Sequence, residues 1–279
     1  MKFFKRFFLL CSVLTAVQCI QFNSNKVKGN REVSSKTVKV DSTFNELEVS
    51  GGWEVQLIRH HSNEVILQAD RNLLNYLMVN QSDMRLSIGA NKTIGYAKEK
   101  LVKVYFKDNL KLIKAQNEVE VFSEEKLYFE SIEFDASSNA EIELELEAES
   151  IEIKGSSDCD VSLETLSKNL TILGSSSADI EVDGDNKDVI VKASSDSDIT
   201  LKGTGDTADY EATSSAKIDA KRFKVKNIVA NASSSGEIKC YPVDDLEANA
   251  TNDGEISYHN DPSNNINSKA KSGGTIKRK

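Results

Sequence analysis

The residues of this chain that could do chemistry are acids, paired serines and histidines, and most recur at a fixed spacing. Asp160, Asp179 and Asp198 each come directly before an aliphatic residue of a repeated unit. Carboxylate oxygens at regular spacing could bind calcium. The same acids on an outward strand face would instead be hydrated and would discourage lateral strand pairing. We favour the second interpretation, because Lys217 interrupts the series. We predict no metal site, and these three aspartates are the candidates if a cation does bind.

The paired serines resemble repeated nucleophiles, but a nucleophilic serine needs a neighbouring base that a third group orients. The chain has three histidines: His60 and His61 are adjacent, and His259 lies far along the sequence. The serines are more typical of a chain corner, where small side chains hydrogen-bond to nearby backbone. We therefore predict no catalytic residue and no cofactor.

The repeat itself, Ser-Ser-x-x-acid-aliphatic, occupies residues 136–276. Its aliphatic position recurs at steps of 19, 19, 19, 19, 20, 18 and 20 residues. Aliphatic or small residues also stand ten, eight and two positions before this anchor and two after it, which is the period-two pattern of strands with one buried face. We predict that the anchors form the core: Ile142, Val161, Ile180, Ile199, Ile218, Ile238, Ile256 and Ile276.

A 19-residue unit is too short for a helix pair or a propeller blade, and one unit cannot bury its own apolar face. The sequence thus predicts an all-β protein, a single right-handed parallel β-helix with two or three short strands in each ~19-residue coil. Regular coils should occupy residues 132–279. Residues 37–131 should form longer, irregular coils, because Ser50–Leu57 and Ala115–Val121 match the repeat. A separate small β domain is the alternative for this part.

The N-terminus has the layout of a secretory signal. Lys2, Lys5 and Arg6 precede an apolar run from Phe7 to Val17 that is too short to span a bilayer. We predict a signal peptide over residues 1–19 and a polar leader over 20–36. Cys19 stands where a lipoprotein signal places its acylated cysteine, but Gln18 before it is unusual there, so lipidation and ordinary cleavage both stay open.

Charge limits the partners. Residues 1–18 contain three of the 35 basic residues and no acids, so removing them leaves 32 − 44 = −12. A net charge this negative disfavours binding to nucleic acid and to anionic lipid. We expect a glycan or an envelope protein as partner, and membrane contact only through a lipid anchor at Cys19. Beyond the signal only Cys159 and Cys240 are left, about four coils apart, so we predict two free thiols.

Three features resemble a known family: the repeated unit, the segment SGGWEVQL at Ser50–Leu57, and YHNDP at Tyr258–Pro262 followed by Ser272-Gly273-Gly274. Together they are similar to the putative auto-transporter adhesin, head GIN domain family of bacteria, over roughly residues 40–279. The resemblance implies an exported or envelope β-helix protein. The family usually has Ser-Gly-Ser-Gly where this chain has Ser-Ser, which we expect to matter little for the fold. The motif is structural, so it implies no functional residues.

We therefore predict a non-catalytic, adhesin-like binding or structural protein that is exported to the periplasm, the outer membrane or the medium. Trp53 and Tyr96 are candidates for stacking on sugars. The alternative is a β-helix carbohydrate-active enzyme, which would need a cleft where carboxylates converge with a Lys or Arg. The regular coils have almost no insertions from which to build such a cleft.

Overall fold

The computed structural model describes residues 26–40 and 43–279, and over these residues the chain forms one continuous sheet of 19 strands and no helix. The predicted signal peptide and Cys19 lie outside the described residues. Nine short strands come first: β1 (Val33–Lys39), β2 (Glu46–Ser50), β3 (Glu54–Arg59), β4 (Glu64–Asp70), β5 (Leu77–Ser82), β6 (Arg85–Ala90), β7 (Lys100–Phe106), β8 (Leu112–Gln116) and β9 (Glu120–Phe122). The repeats then form β10 (Leu127–Ser137), β11 (Glu141–Ser156), β12 (Asp160–Gly174), β13 (Asp179–Ala193), β14 (Asp198–Ala212), β15 (Lys217–Ala232), β16 (Glu237–Ala250), β17 (Glu255–Tyr258), β18 (Asn265–Ala270) and β19 (Thr275–Arg278).

The repeats stack in parallel and in register, which confirms the predicted β-solenoid with ~19-residue coils. Each aliphatic anchor pairs with the anchor of the next coil, from Ile142 with Val161 through to Ile256 with Ile276. The first seven anchors are at most 1% exposed, and Ile276 is half-buried against the same core. Because parallel coils lie about 4.8 Å apart, the anchors form one unbroken apolar column.

The strands are longer than the sequence pattern predicts. Each coil from β11 to β16 is one strand of 14–16 residues, where we expected two or three short ones. In β12 the buried positions are odd-numbered up to Ser167 and even-numbered from Leu170 onward. The chain therefore turns a corner there by changing which side chains face inward. The hydrogen-bonded ladder continues through this corner because neighbouring coils bend at the same place.

The Ser-Ser pairs do form the other corner, in a specific left-handed geometry. In the coil that begins at Ser175, Ser176 and Ser177 have φ angles of 52° and 62°, and the amide of Ala178 donates to the carbonyl of Ser175 at 3.2 Å. Two successive positive φ angles define a type I′ turn. The turns also bond to one another, since the Ser177 amide donates to the Ser195 carbonyl of the next coil at 3.1 Å. The same pair of positive φ angles recurs in every coil from Asn117 to Asp253.

The strands of the N-terminal part continue the sheet of the regular coils. The parallel strands of this part continue the two faces of the regular coils, β2–β8–β10 on one face and β3–β9–β11 on the other. Antiparallel strands then cover this end, with β4 on β7, β1 on β4 and β5 on β6. Since β1 begins at Val33, the predicted leader boundary at residue 36 falls inside a strand. The polar side chains of β1 give no signal of this, because its order comes from backbone pairing with β4.

Both cysteines are buried and free, as predicted. Each occupies an inward position, and burial raises the pKa of Cys159 to about 11 and that of Cys240 to about 12. They are packing residues of the core and not reactive thiols.

Candidate binding site

The acidic column is longer than the sequence indicates. Register pairing places six acids one above another on consecutive coils: Glu54, Glu120, Glu141, Asp160, Asp179 and Asp198. Burial, and then repulsion from Asp160 and Asp198, raise the pKa of Asp179. Lys217 ends the run and lies 3.6 Å from Asp198. Across residues 26–40 and 43–279, no three acids, histidines or cysteines are grouped so that they could hold a metal ion.

The serines and histidines have the geometry of a scaffold. The first two histidines share the exposed turn between β3 and β4, where Nδ1 of His60 lies 3.0 Å from Oγ of Ser62. His259 follows β17, in the last coils of the solenoid. The repeated serine pairs form the turn column, and none of the hydrogen bonds recorded for their hydroxyls joins them to a histidine.

Four glutamates line a shallow groove of about 350 Å³ beside the acidic column, which we call the acidic groove: Glu120, Glu143, Glu145 and Glu164, with Phe122 and Ser123. Burial and the neighbouring acids Glu141, Glu54 and Glu143 raise the pKa of Glu120. Lys126 lies 3.7 Å from Glu145. Carboxylates thus converge near a lysine in this groove, as they also do in a groove lined by Lys111, Glu130, Glu133 and Glu152. The sequence did not predict the acidic groove, because Glu145 and Glu164 fall outside the repeated acidic position.

A second groove, of about 410 Å³, lies where the loop after β6 approaches the first turns of the turn column. We call it the basic groove. The lining contains Lys26, Lys92 and Lys100, one large aliphatic residue, Ile94, and polar or small residues: Ser50, Gly51, Gly52, Ala90, Thr93, Asn117, Glu118, Ser138 and Asn139. Three lysines against one glutamate make this groove locally positive in a chain of net charge −9. A concave positive patch concentrates anions more strongly than a flat one.

Gly52 lies in the wall of the basic groove, near the ammonium group of Lys100 and the carboxylate of Glu118. A methyl group built on Gly52 would lie 3.6 Å from Nζ of Lys100 and 3.8 Å from the carboxylate of Glu118. The missing side chain therefore leaves open space next to an ammonium group. Lys92 extends from the opposite loop, with its ammonium 5.6 Å from the centre of the Tyr76 ring.

A buried carboxyl group, that of Asp70 at the end of β4, holds the loop that forms one wall of the basic groove. Asp70 is 0% exposed and accepts hydrogen bonds from the backbone amides of Arg31, Lys98 and Glu99, at 2.8–3.3 Å. Backbone bonds from Val27 to Thr93 at 2.9 Å and from Gly95 to Val27 at 2.8 Å tie the same loop to the segment before β1. The groove therefore has a fixed wall, although its loop sequence is polar and irregular.

Of the two aromatic residues predicted to stack on sugars, one is buried and the other is exposed. Trp53 is 1% exposed and fills the core, so that prediction was wrong: it follows the turn at an inward position. Tyr96 is 67% exposed and lies on the loop of the basic groove, outside the groove lining, with the Arg31 guanidinium 5.7 Å from its ring centre.

Sequence reasoning missed the basic groove, because its lysines come from two distant segments, Lys26 before β1 and Lys92 and Lys100 between β6 and the start of β7. The Gly51-Gly52 pair and the lysines at both ends of the 91–100 loop were visible signals. Only the register of β3 with β7 and β9 brings those segments to one turn column.

Structural comparison finds similar solved structures of low sequence identity. A putative adhesin from Parabacteroides merdae is 22% identical, with a TM-score of 0.68, covering 91% of this chain and 99% of its own. A putative lipid binding protein from Parabacteroides distasonis is 20% identical, with a TM-score of 0.67 and coverage of 91% and 99%. A putative adhesin from the same species is 20% identical, with a TM-score of 0.62 and coverage of 91% and 100%. At these identities the similarity establishes the fold alone.

No curated protein matches the chain. A family model does match, over residues 43–184 and 149–262, and its description is "Putative auto-transporter adhesin, head GIN domain". These two ranges together span more than half of the 279 residues. The resemblance seen in the sequence is confirmed, and the chain belongs to the auto-transporter adhesin, head GIN domain family.

Proposed function

We propose that this protein is an exported, non-catalytic, adhesin-like protein that binds acidic saccharides in the basic groove. The observation that carries the proposal is the charge of that groove: three lysines and one glutamate line it, on a protein whose net charge is strongly negative. A local reversal of sign selects an anionic ligand that the rest of the surface would repel.

The lining also suits a saccharide. Hydroxyls of Ser50, Thr93 and Ser138 and the amides of Asn117 and Asn139 can each donate to and accept from sugar hydroxyls. The volume of about 410 Å³ lies in the usual range for small-ligand sites, roughly 300–1,000 Å³. Lysine ammonium groups would hold a uronate or sulfate group by charge-assisted hydrogen bonds.

Export is supported by the family description and by the signal-like N-terminus. An auto-transporter adhesin acts at or beyond the cell surface, which fits the cleanly separated charged and apolar parts of residues 1–17. Over the described residues there is no helix long and apolar enough to cross a membrane. Acylation at Cys19 would anchor the solenoid at the envelope, and mass spectrometry of the mature N-terminus tests it.

Binding to a matched pair of ligands tests the proposal. Oligogalacturonate carries a carboxylate on each sugar, and its methyl ester has the same sugar chain with uncharged esters, so calorimetry should detect binding of the acid and not of the ester. The double variant Lys92→Gln/Lys100→Gln should weaken binding of the acid at least tenfold, because one hydrogen bond to a charged group contributes about 1.5–3 kcal/mol. The control Lys168→Gln/Lys192→Gln, in exposed strand positions, should bind like the native protein. Equal affinity for acid and ester, or an unchanged affinity in the groove variant, would contradict the proposal.

A carbohydrate-active enzyme is the second candidate, and the acidic groove is the observation that favours it. Glu120, with its raised pKa, would be the proton donor, and another glutamate of the groove would be the base. Release of reducing ends from neutral and acidic polysaccharides tests this function. Activity in the native protein that Glu120→Gln abolishes and Glu211→Gln preserves would establish the enzyme. A lack of turnover on both polysaccharide classes would reject it for them.

A further inference from the structure

The two ends of the solenoid differ in how well the core is covered. At the N-terminal end the first coil is covered, because the antiparallel strands β4 and β5 lie over β7 and β6, and Leu86 and Val102 there are fully buried. At the other end Ile266 occupies the core position of Leu246 one coil on, yet its exposure is 45% against 2% for Leu246. All six residues of β18 are exposed. The apolar column therefore opens at the C-terminal end.

The backbone is open at the same place. β18 pairs with β16 and β19 pairs with β17, and neither has a partner strand on its other side within residues 26–40 and 43–279. An exposed strand edge presents unpaired N–H and C=O groups and is a template for an added strand. Exposed Ile266 and half-buried Ile276 give such a strand apolar contacts.

The positive charge of this end of the solenoid favours an acidic partner. Residues 263–279 contain five basic residues and no Asp or Glu: Lys269, Lys271, Lys277, Arg278 and Lys279. Two are ion-paired with the preceding coils, Lys277 with Glu255 and Arg278 with Asp261. No ion pair to a described residue is recorded for the other three. The strand edge is thus flanked by cations in an otherwise acidic protein.

A second copy of the chain fits this edge poorly. Two C-terminal ends would face each other with five basic residues apiece. The outermost strand at the opposite end, β1, carries Lys36 and Lys39 and no acid, and β5 carries no charge. Both stacking arrangements therefore lack the acidic partner that the edge needs.

We propose that the C-terminal edge of the solenoid, β18 and β19, binds an extended acidic segment of another protein as an added β-strand. Backbone hydrogen bonds to the open edge would supply affinity, and alternate acidic side chains would contact the lysines while apolar ones cover Ile266. The site lies at the far end of the solenoid from the basic groove and does not depend on the proposed saccharide binding.

A peptide of about eight residues alternating Val and Glu tests the proposal, with a Val and Lys peptide as its counterpart. Fluorescence anisotropy should show saturable binding of the acidic peptide alone, weakening as salt is raised. Lys269→Glu/Lys271→Glu should weaken binding about tenfold, since the change removes two exposed charge pairs and adds repulsion. The matched control Lys187→Glu/Lys192→Glu should bind normally.

Two further measurements show where on the protein the acidic peptide binds. Ile266→Ser should weaken binding, whereas Ile190→Ser, at a similar exposure of 43% in β13, should not. Hydrogen exchange should show new protection in β18 and β19 only. Equal binding of the basic peptide, protection elsewhere, or self-association of the free protein that Lys269→Glu/Lys271→Glu alters would overturn the proposal, the last in favour of a second copy at this edge.

Discussion

Replacing Ser176 and Ser177 by glycine should stabilise this protein, although most substitutions destabilise. Both residues are exposed and have positive φ angles, 52° and 62°, in a turn at the middle of the solenoid. No hydrogen bond is recorded for either hydroxyl within the described chain, so removing the side chains removes no known contact. The change therefore isolates the backbone conformation.

The expected magnitude follows from two opposing costs. A left-handed conformation costs an L-residue about 1–2 kcal/mol. Glycine avoids that cost but loses more conformational entropy on folding, about 0.5–1 kcal/mol. The net gain should be about 0.5–1 kcal/mol for each site, or about 1–2 kcal/mol for Ser176→Gly/Ser177→Gly. For a protein of this size, 1 kcal/mol raises the unfolding midpoint by about 2–4 °C.

Urea and thermal unfolding of the double variant and of Ser162→Gly provide the assay. Ser162 is exposed in the straight part of β12, where φ is not positive, so glycine there should destabilise by about 0.5–1 kcal/mol. Opposite signs for the two variants are the result that the turn geometry predicts. If both variants destabilise, the left-handed turns do not store the strain that we assign to them.

Four further predictions concern single side chains. Asp70→Ala removes the acceptor of three partly buried amide hydrogen bonds and should lower the free energy of unfolding by about 2–4 kcal/mol. Faster hydrogen exchange at residues 94–100 should accompany the change, and unchanged exchange would contradict the prediction. The raised pKa of Asp179 means that its ionised form disfavours folding. Asp179→Asn should therefore stabilise the protein at pH 7, by less than about 1 kcal/mol at this exposed position. The gain in stability should disappear below the pKa of the unfolded state, which is near 4. Asp206 is the matched opposite: its hydrogen bond with Lys226 lowers its pKa, so Asp206→Asn should destabilise at pH 7 and lose its effect as pH falls through the folded pKa. Cys240, with a pKa of about 12, should react with a thiol reagent only after unfolding, and rapid labelling of the native protein would show that the core opens there.

The sequence predicted the regular part of the fold closely because repetition makes one pattern visible many times. Eight copies of an aliphatic anchor at nearly equal spacing identify the core column, and stacking in register then follows from burying that column. The type I′ geometry of the corners was not predicted, because serine is not the residue that positive φ usually selects. A turn with positive φ angles favours glycine, which the family's Ser-Gly-Ser-Gly supplies. The serines of this chain therefore carry a conformational cost at the turn, which we did not expect from the sequence.

The parts that the sequence did not predict depend on contacts distant along the chain. β1 is polar and becomes a strand by pairing with β4, and the basic groove draws Lys26 from one segment and Lys92 and Lys100 from another. Asp70 holds the groove loop from a position that looks like an ordinary strand end. Net charge was also a poor guide, because an overall negative balance hides both the basic groove and the basic C-terminal edge.

A crystal structure of the protein with a galacturonate oligosaccharide would test saccharide binding in the basic groove most directly. We predict that the sugar lies in the basic groove, with a carboxylate oxygen about 2.7–2.9 Å from the ammonium of Lys92 or Lys100 and with sugar hydroxyls against the turn residues. A saccharide bound instead along the acidic groove, or a basic groove that stays empty at saturating ligand, would contradict this prediction.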